Sequence, residues 1–79
     1  MQTKVIQIDP EILGGIPVFS GTRVPVESLF WHLEKGITID EFLDDFPSVS
    51  HEQAVAVIEL AARLFQRKDI AQTLYETAA

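Results

Sequence analysis

Hydrophobic and polar positions follow two different periods along this chain, and the change falls near Pro25. Before it, KVIQID (Lys4 to Asp9) is a short β-branched run that predicts a strand. Asp9-Pro10 starts a turn and Gly14-Gly15 extends it, so Pro17-Val18-Phe19 becomes a second strand closed by Ser20-Gly21. After it, Val26, Leu29, Phe30 and Leu33 follow the i, i+3, i+4, i+7 stripe of a helix. Pro25 suits the first turn of that helix, where a missing N–H costs nothing, and Gly36 is placed to end it in a left-handed cap.

Two further helices carry their own start signals. Thr38 and Glu41 form a capping-box pair, with Ile37 and Phe42 as the hydrophobic staple. That second helix is expected to bury Ile39, Phe42, Leu43 and Phe46 before Pro47 stops it. Ser50 and Gln53 repeat the capping signature and open a third helix through about Gln66. The remaining KDIAQTLYETAA reads as a short helix or tail docked by Ile70, Leu74 and Tyr75. The fold class expected is mainly α: a single domain over residues 1–79, with a β arch (1–24), a three-helix helix-turn-helix-like bundle (25–67) and a C-terminal helix or tail (68–79).

The third helix has more apolar surface than one small core needs. At 100° per residue its polar arc holds Glu52, Glu59, Arg63, Gln66 and Arg67, and the apolar remainder covers about 200°, twice what a surface helix requires. A homodimer is therefore expected, with the second chain meeting Ala54, Val55, Ile58, Ala61, Ala62 and Phe65. The three alanines would let two helices approach closely.

Composition sharpens this. A chain of 79 residues buries roughly 60–65% of its unfolded surface and is marginal alone; with no cysteine to staple it, association is the natural supplement. A hydrophobic content of 47% is that of a globular chain. No apolar run is long enough to span a membrane and Met1 opens no signal-peptide pattern, so a cytoplasmic protein is expected. Twelve acidic against six basic residues give a formal charge of −6, which argues against a nucleic-acid binder and for a basic protein partner.

Candidate chemistry is sparse. GGIPVFSGTRVPVE (Gly14 to Glu27) has neither a G-x-G-x-x-G nor a P-loop ending and reads as a shaped arch, with Arg23 holding Asp9 or backbone carbonyls unless Thr22 and Arg23 contact a partner. The segment DEFLDD stacks Asp40 over Asp44 and Glu41 over Asp45, a like-charge arrangement that is mildly unfavourable alone and suits either solvent or a basic docking partner. Trp31 lies about 140° round from Val26, off the main stripe, and is an interface anchor or a cover for the strands or tail. The first turns of the third helix offer His51, Glu52 and Gln53 rather than a base-reading cluster. Arg63, Arg67 and Lys68 form a cluster suited to phosphate contact that also complements the helix dipole. His32 and His51 are isolated, and no cofactor, metal site or catalytic group is expected.

Asp9-Pro10, GGIP, SGTRVPVESL, the Lys35-Gly36 turn and IDEFLDDFPSVSHEQAVAVIELAA together resemble the domain-of-unknown-function 433 family, from about Ile6 to Leu64. Gly21 to Val26 is the most specific part. The chain departs from that pattern at Ile16, where members often carry a basic or polar residue, and at Ser20, where they often carry a basic one. The resemblance implies a homeodomain-like helical protein with a short β element, and an antitoxin-type function: binding and inhibiting a PIN-like ribonuclease toxin encoded beside it. The acidic face at Asp40, Glu41, Asp44 and Asp45 would then occupy the basic RNA groove, or Arg23 or the Arg63–Lys68 cluster would reach the metal-binding carboxylates. The alternative is a dimeric helix-turn-helix regulator that binds DNA.

Overall fold

The computed structural model describes residues 4–78; residues 1–3 and 79, counted above within the single domain, lie outside the described residues. Two strands, β1 (Ile6–Gln7) and β2 (Val18–Phe19), pair antiparallel with Ile6 opposite Phe19 and Gln7 opposite Val18. Four helices follow: α1 (Glu27–Glu34), α2 (Ile39–Asp45), α3 (His51–Gln66) and α4 (Lys68–Ala78). The architecture is the expected one, mainly helical with an N-terminal β element.

The strands are two residues each, far shorter than the apolar runs that predict them. Chain direction is set by turns instead. Between the strands, Leu13, Gly14 and Gly15 all take positive φ, and Leu13 at 51° is the only non-glycine among the described residues to do so. After β2 the Thr22 N–H donates to the Phe19 carbonyl (3.0 Å), a β-turn whose third residue, Gly21, sits at φ 78°. A side chain there would meet open space, so the φ angle alone selects glycine.

The turn sends the chain back along β2. The Phe19 N–H reaches the Val24 carbonyl (3.0 Å), the Val26 N–H reaches the Pro17 carbonyl (3.0 Å), and Pro25 bridges to Val18. Pro25 therefore belongs to the arch, and α1 begins two residues later at Glu27. The helix ends as expected. Gly36 at φ 81° donates to the Leu33 carbonyl while Ile37 donates to that of His32, the two-bond Schellman arrangement.

Both capping boxes form. The Glu41 N–H donates to the Thr38 hydroxyl (3.1 Å) and the Thr38 N–H to the Glu41 carboxylate (2.9 Å). The Gln53 N–H donates to the Ser50 hydroxyl and the Ser50 N–H to the Gln53 side chain, each at 3.0 Å. Each box ties up one backbone N–H on either side of the helix start that would otherwise lack a partner.

The core joins Phe19 of β2, Leu29 of α1, Phe42 of α2, Val49 before α3, and Ala54 and Val57 of α3, with Ile6 of β1 half-buried against it. Phe42 is its centre, 6.1 Å from the Phe19 ring and 5.0 Å from that of Phe46. The α1 stripe is buried unevenly. Leu29 is fully covered and Val26 and Leu33 half-covered, whereas Phe30, expected inside, is exposed. The segment from Lys68 is helical and no tail, but it reaches no core residue: Ile70 is half-buried against α3 and Leu74 and Tyr75, expected to dock it, are exposed.

Candidate functional site

Three surfaces hold the residues expected to make contacts: the arch tip, the acidic face of α2, and the apolar flank of α3. Their neighbours differ in a way that separates structural side chains from free ones.

The arch tip is pinned by uncharged groups. Thr22, buried, donates its hydroxyl hydrogen to the Phe19 carbonyl (2.8 Å) and accepts from the Val24 N–H (3.0 Å). Gln7 Oε1 accepts from the Gly21 N–H (3.1 Å), and the Gln53 side-chain amide donates to the Ser20 carbonyl (3.0 Å), fastening the arch to the start of α3. Arg23 takes no part. It is exposed and forms no ion pair among the described residues, while its expected partner Asp9 accepts from the Glu11 N–H instead (2.9 Å). The strut role belongs to Thr22, Gln7 and Gln53, and Arg23 is presented to solvent on a preformed loop.

On α2, Asp40, Glu41, Asp44 and Asp45 are all exposed, but Glu41 is already engaged and Asp45 stands beside His32. The hydrogen bonds from the Thr38 N–H and then its hydroxyl hold the Glu41 carboxyl below its usual pKa of 4.5. Asp45 lies 4.0 Å from His32 Nε2. His32 Nδ1 donates to the Ser28 carbonyl (2.6 Å), and the ring stands edge-on to Phe42 and Phe46 at 5.1 and 5.6 Å. This histidine is therefore built into the α1–α2 contact. Asp40 and Asp44 remain as the unengaged acids of the face.

The apolar flank is the largest feature. A groove of about 300 Å³ runs between arch, α1 and α3, lined by Ile6, Val26, Phe30, Leu60 and Leu64, with Val57 and Ala61 at its floor. It shares Val26 and Phe30 with a second hollow of about 370 Å³ that extends to Ile16 and Pro17. One apolar band thus crosses the molecule from the arch to the end of α3. Of the residues expected at a dimer interface, Ala54 is wholly inside the chain's own core and has no surface to offer. Val55, Ile58 and Ala61 are half-buried, whereas Ala62 and Phe65 are exposed. Trp31, on α1, is half-exposed.

Sequence reasoning passed over Phe30, Leu60 and Leu64 as contact residues because their spacing is that of core positions. Their only signal was the excess width of the α3 apolar arc. At the end of α3 Arg63 is exposed, Arg67 pairs with Asp69 across 2.9 Å, and Lys68 is exposed at the start of α4. Among the described residues no group of three His, Cys, Asp or Glu is placed to hold a metal ion, and no helix is long and apolar enough to cross a membrane.

These features define a small helical domain fronted by a β arch, with a rigid basic tip and an apolar band. The profile of a family described as "protein of unknown function (DUF433)" matches residues 6–61, and the chain belongs to that family. It is similar to a crystal structure of a DUF433 member protein from Anabaena variabilis, with a TM-score of 0.64 and 25% identity over 90% of this chain and 68% of that one. It is also 36% identical over 50 residues to the uncharacterised protein y4eO of Sinorhizobium fredii. That match takes in 63% of this chain but only 23% of y4eO, so the shared unit is a fraction of the longer protein.

Proposed function

We propose that the chain is a non-enzymatic antitoxin-type protein that binds and inhibits a PIN-like ribonuclease toxin, with Arg23 as its principal polar contact. The observation that supports this reading is the division of labour at the arch. In the segment that most specifically resembles the family, Gly21, Thr22 and Pro25 set the backbone, and Arg23, on a loop held by its neighbours, forms no ion pair or side-chain hydrogen bond among the described residues. A guanidinium on a preorganised loop offers a forked set of donors suited to carboxylates such as those that hold a nuclease's metal ions. The acidic face contributes less to this reading than its charge count suggests, because the Glu41 carboxylate already accepts from Thr38 within the chain.

The test is to mix the purified protein with the PIN-like nuclease of the adjacent gene and follow RNA cleavage. The wild type should form a complex and suppress cleavage. Arg23→Ala should keep the wild-type melting temperature and weaken inhibition at least about tenfold, the size of a buried polar hot spot. Absence of a complex, with cleavage unchanged, sinks the inhibitor reading; a complex insensitive to Arg23→Ala moves the contact to Asp40 and Asp44.

The DNA-binding alternative keeps the helix–turn–helix order of α2 and α3 and the exposed Arg63 and Lys68. The outward residues of α3 before Arg63 include His51, Glu52 and Glu59, a poor set for base edges or phosphates. Failure of promoter fragments to bind even at low salt would remove this alternative.

A further inference from the structure

Among the described residues none fills the groove between the arch, α1 and α3, and the outer part of the apolar face of α4 is uncovered. Ile70, Ala71, Leu74 and Tyr75 fall on one side of α4 at i, i+1, i+4 and i+5. Only the first two gain cover from α3, leaving Leu74 at 41% and Tyr75 at 73% exposure. None of the four lines the groove.

The connector explains why the chain cannot close on itself. A single non-helical residue, Arg67 (φ −84°, ψ 121°), separates α3 from α4. An antiparallel helical hairpin needs a connection of about two to five residues. With one, α4 leaves α3 at its end and cannot fold back along it to reach Leu60, Val26 and Ile6.

We propose that the groove is filled by α4 of a second copy of this chain, reciprocally, with Leu74 and Tyr75 of each copy as the anchors in the other. The area fits. Phe30, Leu60, Leu64, Phe65, Leu74 and Tyr75 together leave on the order of 600–700 Å² open, close to the ~800 Å² per partner of a standard interface. An amphipathic helix in an apolar groove is a standard recognition mode, and a two-fold pair makes the contact twice. Charge permits it as well. Two chains of charge −6 repel, but Arg63 and Lys68, two of the six basic residues, stand exposed at the α3–α4 junction where the partner's α4, carrying Glu76, would arrive. This pairing surface is separate from Arg23 and does not depend on the nuclease reading.

The experiment is size-exclusion chromatography with light scattering on the full chain, from about 1 to 100 μM, the range in which a micromolar pair would form. The wild type should show twice the chain mass. Leu74→Glu, far from the core, and Leu60→Glu, on the groove wall, should each run as monomers with undiminished helical circular dichroism. A monomeric wild type at the highest concentration, or a dimeric Leu74→Glu, overturns the proposal. The chain has no cysteine, so Leu60→Cys and Leu74→Cys chains can be mixed and treated with a short bis-maleimide. Cross-links should join the two kinds of chain. If Leu60→Cys alone cross-links as readily as the mixture, α3 pairs with α3 and the α4-in-groove arrangement is wrong.

Discussion

The two halves of α3 carry similar side chains and meet opposite fates. In the first half Ala54 and Val57 are buried, the helix start is closed by a capping box, and Gln53 reaches across to the arch. In the second half Leu60, Leu64 and Phe65 are 38%, 49% and 63% exposed, and α4 continues the exposure at Leu74 and Tyr75. Helical propensity and hydrophobicity do not distinguish them. What differs is the company: the core residues of α1, α2 and the arch converge on the first half, while the second half lines the open groove beside them and runs on into α4. Apolar residues that fold the domain and apolar residues available to a partner are thus neighbours on one helix.

Core truncation should give the largest separation between the halves. Phe42→Ala removes the ring that touches Phe19, His32 and Phe46 and should cost about 3–5 kcal/mol, enough to leave a domain of this size largely unfolded. Phe65→Ala deletes an equal ring from an exposed position and should leave the unfolding midpoint of dilute protein within about 0.5 kcal/mol of wild type. Chemical denaturation of both variants decides the matter; comparable losses would mean that the far half of α3 is part of the folding core.

A finer contrast lies one turn apart on either side of the junction. Val57→Ala should cost about 2 kcal/mol at any protein concentration, because its partners are within the chain. Leu64→Ala should cost little in dilute solution and progressively more as concentration rises, since stabilisation by association follows mass action. Concentration-independent losses in both would break the distinction between folding and pairing residues.

How much of this could be read beforehand follows the range of the interactions involved. Both capping boxes, the Gly36 stop and the three bundle helices were legible because each rests on residues three or four apart. The strands were overestimated, since Lys4 to Asp9 has strand propensity but only Ile6 and Gln7 find a partner in β2. Pro25 was placed in the helix because a proline suits a first turn; pairing with Val18 claimed it for the arch. Sequence alone leaves Arg23 open between a strut to Asp9 or backbone carbonyls and a contact residue, and the Gln53–Ser20 bond that fastens the arch without it spans 33 residues. The groove was visible only as surplus, an apolar arc wider than one core could use, and spacing could not tell which flank would remain open.

The start of α3 supplies the next smaller effect. Ser50→Ala removes the acceptor of the Gln53 N–H and should cost about 1 kcal/mol. Gln53→Ala removes the return bond and the tether to Ser20 together, so it should cost at least as much and also loosen the arch. Amide exchange at Gly21 and Thr22 reads that second consequence. Faster exchange in Gln53→Ala, but not in Ser50→Ala, would tie the rigidity of the Arg23 loop to the buried half of α3.

The smallest effect concerns the matching cap on α2, where the return acceptor is a carboxylate rather than an amide. The hydrogen bonds from Thr38 depress the folded-state pKa of Glu41 below 4.5. A depressed carboxylate contributes stability that is fully present above the unfolded value and is lost as pH falls through 4.5 and then through the lower folded value. Gln at this position keeps a side-chain oxygen for the cap but has no charge for the helix N-terminus to stabilise. Glu41→Gln should therefore be slightly less stable than wild type near neutrality, with the gap closing as pH drops below 4.5, since the other carboxylates titrate alike in both chains. Paired thermal melts from neutrality to about pH 3 measure it. A gap that stays constant would show that the α2 cap works through hydrogen-bond geometry alone, as the Ser50–Gln53 cap of α3 must.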